Sequence, residues 1–194
     1  MARGEVLFGV AGWTYDDWQG VVYERGCKDK LRAVAARVDL IEINSTFYGL
    51  PSAKNCRSWA ERTADLGTRF TAKLPQAFTH ERRCDDALAA QVRDGFEPLV
   101  ASGRLLGLLA QFPHEFPCST AALQHVARLA AAFGGTSSLF VEVRHRTWNA
   151  QPALAALAEL GVGVLALDYP GMVGGFSRDV PEMGNGTPTW WKEM

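Results

Sequence analysis

The chain has 194 residues, of which 47% are hydrophobic and 21% are charged, and its formal net charge is -1. This composition is typical of a globular protein of one or two domains, and it argues against a general nucleic-acid-binding surface or an anchor to anionic membranes. The four cysteines form no Cys-x-x-Cys pair, and no apolar stretch is long enough to span a membrane. We therefore expect a cytoplasmic protein with reduced thiols.

Strand-like and helix-like segments alternate along the chain. Apolar runs predict six strands, at residues 6–11, 38–43, 69–73, 105–111, 139–144 and 162–168. Helical patterns predict five helices between them, at residues 28–37, 52–64, 86–96, 120–133 and 152–160, with Pro98 opening a short turn after the third helix. Ser52 and Ser119 stand at N-cap positions. Strands separated by short helices predict a parallel sheet.

Polar residues recur where the predicted strands end. Strands such as Leu105 to Leu109 are apolar on both faces, which means that both faces are covered, as in a barrel or a doubly wound sheet. The first strand lacks the Gly-x-Gly-x-x-Gly turn of a dinucleotide-binding fold. Different strands end on Glu42, Lys73, Gln111, Glu142 and Asp168. This repetition favours a TIM-like (β/α) barrel, although only six of the eight βα units are visible.

Five segments, taken in order, resemble the YecE-like family, the domain of unknown function numbered seventy-two. They are Gly9 to Gly20, Glu42 to Tyr48, Lys73 to Arg83, Gln111 to Pro113, and Val141 to His145 with Trp148. The resemblance implies a TIM-like barrel over residues 1–194 but no established activity. Family members carry two further strands, so the resemblance also predicts a single barrel domain that is truncated at its C-terminus.

Two carboxylates on different strands are the leading catalytic candidates. Glu42 and Glu142 would form an acid/base pair across the barrel mouth, and Asp168 is a further catalytic candidate. The alternative is that Glu142 pairs with Arg144 or Lys73, which would neutralise a buried charge. Lys73 is a candidate for a Schiff base with a carbonyl substrate, or else a counter-ion.

Aromatic and polar side chains near the strand ends predict ligand contacts. Strand alternation puts Glu42, Asn44 and Thr46 on one face and Phe47 on the other, where it would pack. The predicted ligand-binding residues are Trp13, Tyr15, Asn44, Thr46, Tyr48, Gln76, His80, Gln111, Arg144 and Trp148. Aromatic faces beside amides and carboxylates suit a sugar or a base. A loop-packing role is the alternative for Trp148.

We therefore predict an enzyme of hydrolase or lyase type that acts on a small polar or carbohydrate-like ligand. The alternative is a non-catalytic protein that binds a nucleotide, a phosphate or a nucleic-acid end through Lys73, Arg82 and Arg144, although the net charge does not support nucleic acid. A third alternative is an inactive fragment. No His-x-His or His-Glu-x-x-His spacing announces a metal, and no cofactor is predicted.

The predicted sheet leaves two strand edges without a partner. Unpaired edges expose backbone donors and acceptors, so we expect the segment from Tyr169 to Met194, a second copy of the chain or a missing segment to cover them. The adjacent Trp190 and Trp191 fit a segment that normally packs. Self-association through this edge is therefore predicted.

Overall fold

A computed structural model describes residues 5–166 of the chain. Six parallel strands form one sheet in which the spatial order of the strands follows the chain. The strands are β1 (Gly9–Ala11), β2 (Leu40–Ile43), β3 (Arg69–Lys73), β4 (Leu105–Gln111), β5 (Ser138–Glu142) and β6 (Gly163–Val164). The predicted α/β fold, with a parallel sheet whose strands are joined by helices, is confirmed.

Helices connect the strands. They are α1 (Lys30–Ala35), α2 (Ala53–Arg62), α3 (Gln76–Thr79), α4 (Asp86–Ala101), α5 (Thr120–Phe133) and α6 (Gln151–Glu159). Four of them begin at a side-chain cap, which accepts a hydrogen bond from a backbone amide of the first turn. The capping residues are Asp29, Ser52, Asp85 and Ser119.

One face of the sheet packs against the helices and forms the core. Side chains alternate across a strand, and the helix-facing positions of β2, β3 and β5 include Ile41, Ile43, Phe70, Ala72 and Val141, all of them fully buried. Burial of each large apolar side chain contributes about 1.5–3 kcal/mol. The opposite face carries the polar residues of the strand ends, because the same alternation turns Glu42, Lys73 and Gln111 away from the helices.

A phenylalanine ring fits between two glycines on the inner face of the sheet. A Cβ atom at either Gly107 of β4 or Gly163 of β6 would collide with the ring of Phe140 on β5, which lies between them. The two glycines thus let a large ring lie flat across three neighbouring strands.

Several predicted boundaries differ from the structure. The first strand begins at Gly9 instead of Val6, and Val6 and Phe8 are exposed. The helix predicted to stop at Phe96 continues to Ala101. Pro98 removes one backbone donor, but Leu99 packs into the core and compensates for this loss. The strand predicted at residues 139–144 ends at Glu142, so Arg144 lies just beyond it.

The predictions for the C-terminal segment, including Asp168, Trp190 and Trp191, fall outside the described residues. Within residues 5–166, β1 pairs only with β2, and β6 pairs only with β5. No helix in this part of the chain is long and apolar enough to cross a membrane.

Replacement of Gly95 by alanine should destabilise the protein. Gly95 lies inside α4, and a Cβ atom there would collide with the backbone and ring of Pro51, just before α2. Alanine normally stabilises a helix interior by about 0.5–1 kcal/mol relative to glycine, but the overlap should reverse this sign and lower the free energy of unfolding by about 2 kcal/mol. Urea denaturation measures the change.

Gly135→Ala is the matched control, since a Cβ atom there meets no atom of the described residues within 4 Å. We expect its free energy of unfolding to stay within about 0.5 kcal/mol of wild type. A Gly95→Ala variant more stable than wild type would contradict the close contact between α4 and Pro51.

Candidate functional site

Polar side chains from four neighbouring strands meet in one continuous network at the carboxyl end of the sheet. The Lys73 Nζ lies 3.6 Å from Glu42 Oε1 and donates a hydrogen bond of 3.1 Å to Gln111 Oε1. The Gln111 Nε2 lies 2.8 Å from both carboxylate oxygens of Glu142. The Arg144 Nε and Nη2 lie 2.8 and 2.6 Å from Glu142 Oε1. We call these five residues the strand-end array.

Gln111 links the two ion pairs of the array. Its carbonyl oxygen faces the Lys73 ammonium and its amide nitrogen faces the Glu142 carboxylate, and the charges on either side dictate this orientation. The reverse orientation would place the amide donors against an ammonium group and the carbonyl oxygen against a carboxylate. The glutamine therefore holds Lys73 and Glu142 in a fixed relation.

The two carboxylates of the array have different surroundings. Burial raises the pKa of Glu42, and the nearby Glu142 raises it further, while the Lys73 ammonium works in the opposite direction. The Glu142 side chain is only 4% exposed and forms an ion pair with Arg144. Charge-assisted bonds from Arg144 and the Gln111 amide compensate for the loss of water around its carboxylate.

Lys73 has the geometry of a counter-ion, one of its two predicted roles. Its ammonium group lies between Glu42 and Gln111, and its side chain is 17% exposed. The Lys73 carbonyl accepts a hydrogen bond of 2.6 Å from the hydroxyl of Thr46. Thr46 is therefore a buried anchor for the end of β3, and the predicted ligand contact is corrected. The chain leaves the strand geometry after Ile43 and enters a 3-10 turn at Ser45–Phe47, so alternation no longer places Thr46 beside Glu42.

A cavity of about 330 Å³ lies at the ends of β1 and β2, beside the array. The Gly12 amide, which lines it, donates to the Glu42 carbonyl. We call it the aromatic cavity, and its lining residues are Gly12, Trp13, Thr14, Tyr15, Asn44 and Ser45. The sequence predicts a ligand contact for Trp13, Tyr15 and Asn44 but not for Gly12, Thr14 and Ser45. These three lie within three residues of the end of β1 or β2, and that position could have indicated them.

The loop around the aromatic cavity is held by its own side chains. The Trp13 ring packs edge-on against Trp59, with ring centroids 5.5 Å apart. The Tyr15 hydroxyl donates to the Ala11 carbonyl. The Asn44 Oδ1 is buried and accepts no hydrogen bond from the described residues. An acceptor without a donor is costly to bury, so a ligand hydroxyl or amide that reached it would be stabilised.

Trp148 belongs to the core and not to a ligand site, which corrects that prediction. Its side chain is fully buried, and its indole Nε1 donates a bond of 2.7 Å to the Phe116 carbonyl. The indole stacks on the Phe116 ring, which stacks in turn on Phe112. Its burial and its contacts agree with the alternative prediction, in which Trp148 packs a loop.

Three other predicted contacts lie outside both the array and the aromatic cavity. Tyr48 is 79% exposed, with its ring edge-on to Phe47. His80 is exposed, and its ring packs edge-on against Phe47, with ring centroids 5.1 Å apart. Gln76 is exposed at the start of α3. Arg82 approaches Phe116 instead of the array.

The described residues contain no group of three or more His, Cys, Asp or Glu side chains that could hold a metal ion. His145 does approach another histidine, His114, with ring centroids 5.7 Å apart. His114 was not singled out from the sequence, although it follows the Gln111-Phe112-Pro113 segment closely.

Replacement of Glu42 by glutamine should change how stability depends on pH. The folded state raises the pKa of Glu42 above its ordinary value of 4.5, so folding favours the protonated form. The stability from this group is fully present below the ordinary pKa and is lost as the pH rises through the folded-state value. We therefore expect the Tm of Glu42→Gln, relative to wild type, to increase between about pH 4 and about pH 7.

Glu97→Gln, on an exposed position of α4, is the control for that titration. Its Tm difference from wild type should stay constant over the same range. If the Tm difference between Glu42→Gln and wild type also stayed constant, folding would not raise the pKa of Glu42.

Solved structures with the same fold come from two bacteria. A DUF72 family protein from Thermotoga maritima has a TM-score of 0.75 and 28% identity, and the match covers 87% of this chain and 66% of that one. A DUF72 family protein from Enterococcus faecalis has a TM-score of 0.73 and 16% identity, over 84% of this chain and 61% of that one. The second likeness shows the fold alone.

Curated relatives support the same assignment. The UPF0759 protein YecE of Escherichia coli K12 is 28% identical over 172 residues, which are 84% of this chain and 59% of the relative. The UPF0759 protein YunF of Bacillus subtilis is 24% identical over 155 residues, 76% of this chain and 53% of the relative. The chain thus spans between half and two thirds of the length of these relatives.

The family described as "Protein of unknown function DUF72" matches residues 7–188. That match covers most of the chain, and it confirms the YecE-like resemblance of the five segments. This chain therefore belongs to the DUF72 family.

Proposed function

We propose that this protein is an enzyme that acts on a small polar, carbohydrate-like ligand by carboxylate acid/base chemistry at the strand-end array. The observation that carries the proposal is the array itself, in which two glutamates in unlike surroundings are joined through Lys73 and Gln111. Pairs of carboxylates whose environments differ are a common basis for assigning an acid and a base.

Glu42 is the better placed of the two to transfer a proton. Among the described residues, its carboxyl has one charged neighbour within ion-pair distance, Lys73. The raised pKa of Glu42 brings it nearer to neutral pH, where a general acid or base works best. Glu142 has its oxygens engaged by Gln111 and Arg144, so its role is to hold a negative charge beside the reacting group.

The aromatic cavity supports a sugar-like ligand. Trp13 and Tyr15 offer apolar ring surface, and the side chains of Asn44 and Ser45 add polar groups to the lining. Carbohydrates present both kinds of surface, apolar ring faces and a rim of hydroxyl groups. The cavity lies next to the end of β2, so a ligand bound there would be close to Glu42.

The array is less suited to the alternative, a phosphate or nucleic-acid-end binding site. Its two cations, Lys73 and Arg144, each face a carboxylate. A phosphate group would therefore meet as much negative as positive charge, and its binding would have to disrupt existing ion pairs.

A ligand screen with matched variants tests the proposal. Neutral monosaccharides, disaccharides and sugar acids are mixed with the 194-residue chain, and saturation-transfer NMR detects binding and any conversion. Binders should shift the NMR signal of the Trp13 indole, which lines the cavity, and their affinity should change little between about 50 mM and 200 mM salt. Any turnover should fall by about a hundredfold or more in Glu42→Gln.

Glu97→Gln is the control, because it removes an exposed carboxylate that lies away from the array. Wild-type turnover in both Glu42→Gln and Glu142→Gln would remove the two carboxylates from the mechanism. Binding of phosphate compounds at the array, with steep loss of affinity in salt, would favour the non-catalytic alternative.

A further inference from the structure

A second cavity, outside the strand-end array, is lined by two arginines. It has a volume of about 190 Å³ and lies between the loop after β3 and the start of α5. We call it the arginine cavity. Its lining includes Arg82, Phe116, Ser119, His125 and Arg128, and no acidic side chain from residues 5–166.

Each arginine is held in place by a neutral group. The Arg82 guanidinium lies over the Phe116 ring, 5.2 Å from its centroid, and its Nη2 donates to the Glu115 carbonyl at 3.3 Å. The Arg128 Nη2 lies 3.3 Å from His125 Nδ1. These contacts orient the two guanidinium groups without neutralising their charge.

His125 is suited to hold Arg128 because it is neutral. It is buried, and its Nε2 lies 2.6 Å from the Phe78 carbonyl. A proton on Nε2 lets this nitrogen donate to the carbonyl and leaves Nδ1 free to accept from Arg128. Burial lowers the pKa of His125, and the charges of Arg128 and Arg82 lower it further. Both arginines line the cavity together with this ring.

The backbone at Arg82 adopts a conformation that is unfavourable for its residue type. Arg82 has a φ of 56°, and it is the one non-glycine residue with positive φ in residues 5–166. A glycine would adopt this conformation without steric cost. Strained positions of this kind concentrate at functional sites, where the side chain is needed in a particular place.

The two positive charges have no carboxylate partner in the part of the chain that the structure describes. Ion pairs there involve Arg32, Arg62, Arg69, Lys73, Arg83 and Arg144, but neither Arg82 nor Arg128. Two like charges beside one cavity repel each other, and an anion between them would relieve that repulsion. A phosphate group matches them in charge and accepts hydrogen bonds from guanidinium groups in paired geometry.

We propose that the arginine cavity binds a phosphate group, which Arg82 and Arg128 contact together. This site is separate from the strand-end array and does not depend on the function proposed for the array. The same phosphate chemistry would serve for free inorganic phosphate or for a phosphorylated small molecule.

Calorimetric titration of the 194-residue chain with inorganic phosphate tests the site. We expect saturable binding that weakens about tenfold or more in Arg128→Gln and in Arg82→Asn, because each variant loses a charge-assisted hydrogen bond. Asparagine is chosen at position 82 because it tolerates positive φ, so the backbone can keep its conformation. Glycerol phosphate in parallel distinguishes the sources: tighter binding of the ester indicates a phosphorylated ligand, and tighter binding of inorganic phosphate indicates the free ion.

Arg57→Gln is the matched control, since it removes one exposed positive charge on α2, away from the cavity. Its affinity for phosphate should stay within about twofold of wild type. Equal affinities in all four proteins, absence of saturable binding at millimolar phosphate, or acetate binding as tight as phosphate would overturn the proposal. Glu42→Gln should bind phosphate with the same affinity as wild type. The result of this test is therefore independent of the function proposed for the strand-end array.

Discussion

The free energy of unfolding of an Arg144→Met variant should fall by about 3 kcal/mol at neutral pH, the lower end of the range for a broken buried ion pair. Glu142 is almost fully buried, and Arg144 is its only charged partner within ion-pair distance in residues 5–166. Methionine keeps much of the length of the arginine stem but leaves the carboxylate with the Gln111 amide alone. The loss should be below that of a fully enclosed pair because the Arg144 side chain is 30% exposed. Urea denaturation measures it.

A second substitution separates the ion pair from general damage. Glu142→Gln removes the charge that Arg144→Met leaves unpaired, so the double variant should regain most of the lost stability. Equal losses in the single and the double variant would mean that the array contributes packing and not charge compensation.

Trp148→Ala should lower the free energy of unfolding by about 4 kcal/mol, because it empties a large part of the core. The indole is fully buried and continues a stack of rings through Phe116 to Phe112. It also supplies the donor for the Phe116 carbonyl, which would be left unsatisfied. Thermal and urea denaturation should agree on the direction.

Trp148→Phe is the informative companion, since it keeps an aromatic ring in the stack but loses the indole donor. We expect it to lose about half as much stability as Trp148→Ala. If Trp148→Ala instead kept its stability and lost affinity for ligand, the original prediction of a ligand contact would stand and the core assignment would fail.

Strong local signals explain which elements could be predicted. The bounds of β3, β4 and α5 agree with the sequence-based ranges, because an apolar run or a helical pattern ends there beside a cap or a glycine. The end of α4 could not be predicted in the same way. Packing of Leu99 compensates for the donor that Pro98 removes, and this contact is tertiary.

The candidate site shows the same division. The alignment of Glu42, Lys73 and Gln111 follows from their places at the ends of parallel strands, although their catalytic roles stay predictions. The inward turn of Thr46 could not be read from alternation, since the chain abandons strand geometry after Ile43. The placement of Arg82 and Arg128 around one cavity depends on how a loop folds against α5, and no sequence spacing predicts it.

The order of the strands has a consequence for how the chain folds. Each strand pairs with the one before it, and paired residues are roughly 30 residues apart along the chain, so each sheet contact joins consecutive strands across one helical connection. During synthesis, each βα unit can dock onto its predecessor soon after it leaves the ribosome, without waiting for a distant segment. The sheet can therefore grow from β1 to β6 in the order in which the strands are synthesised. The strand-end array is complete only when β5 and Arg144 have left the ribosome.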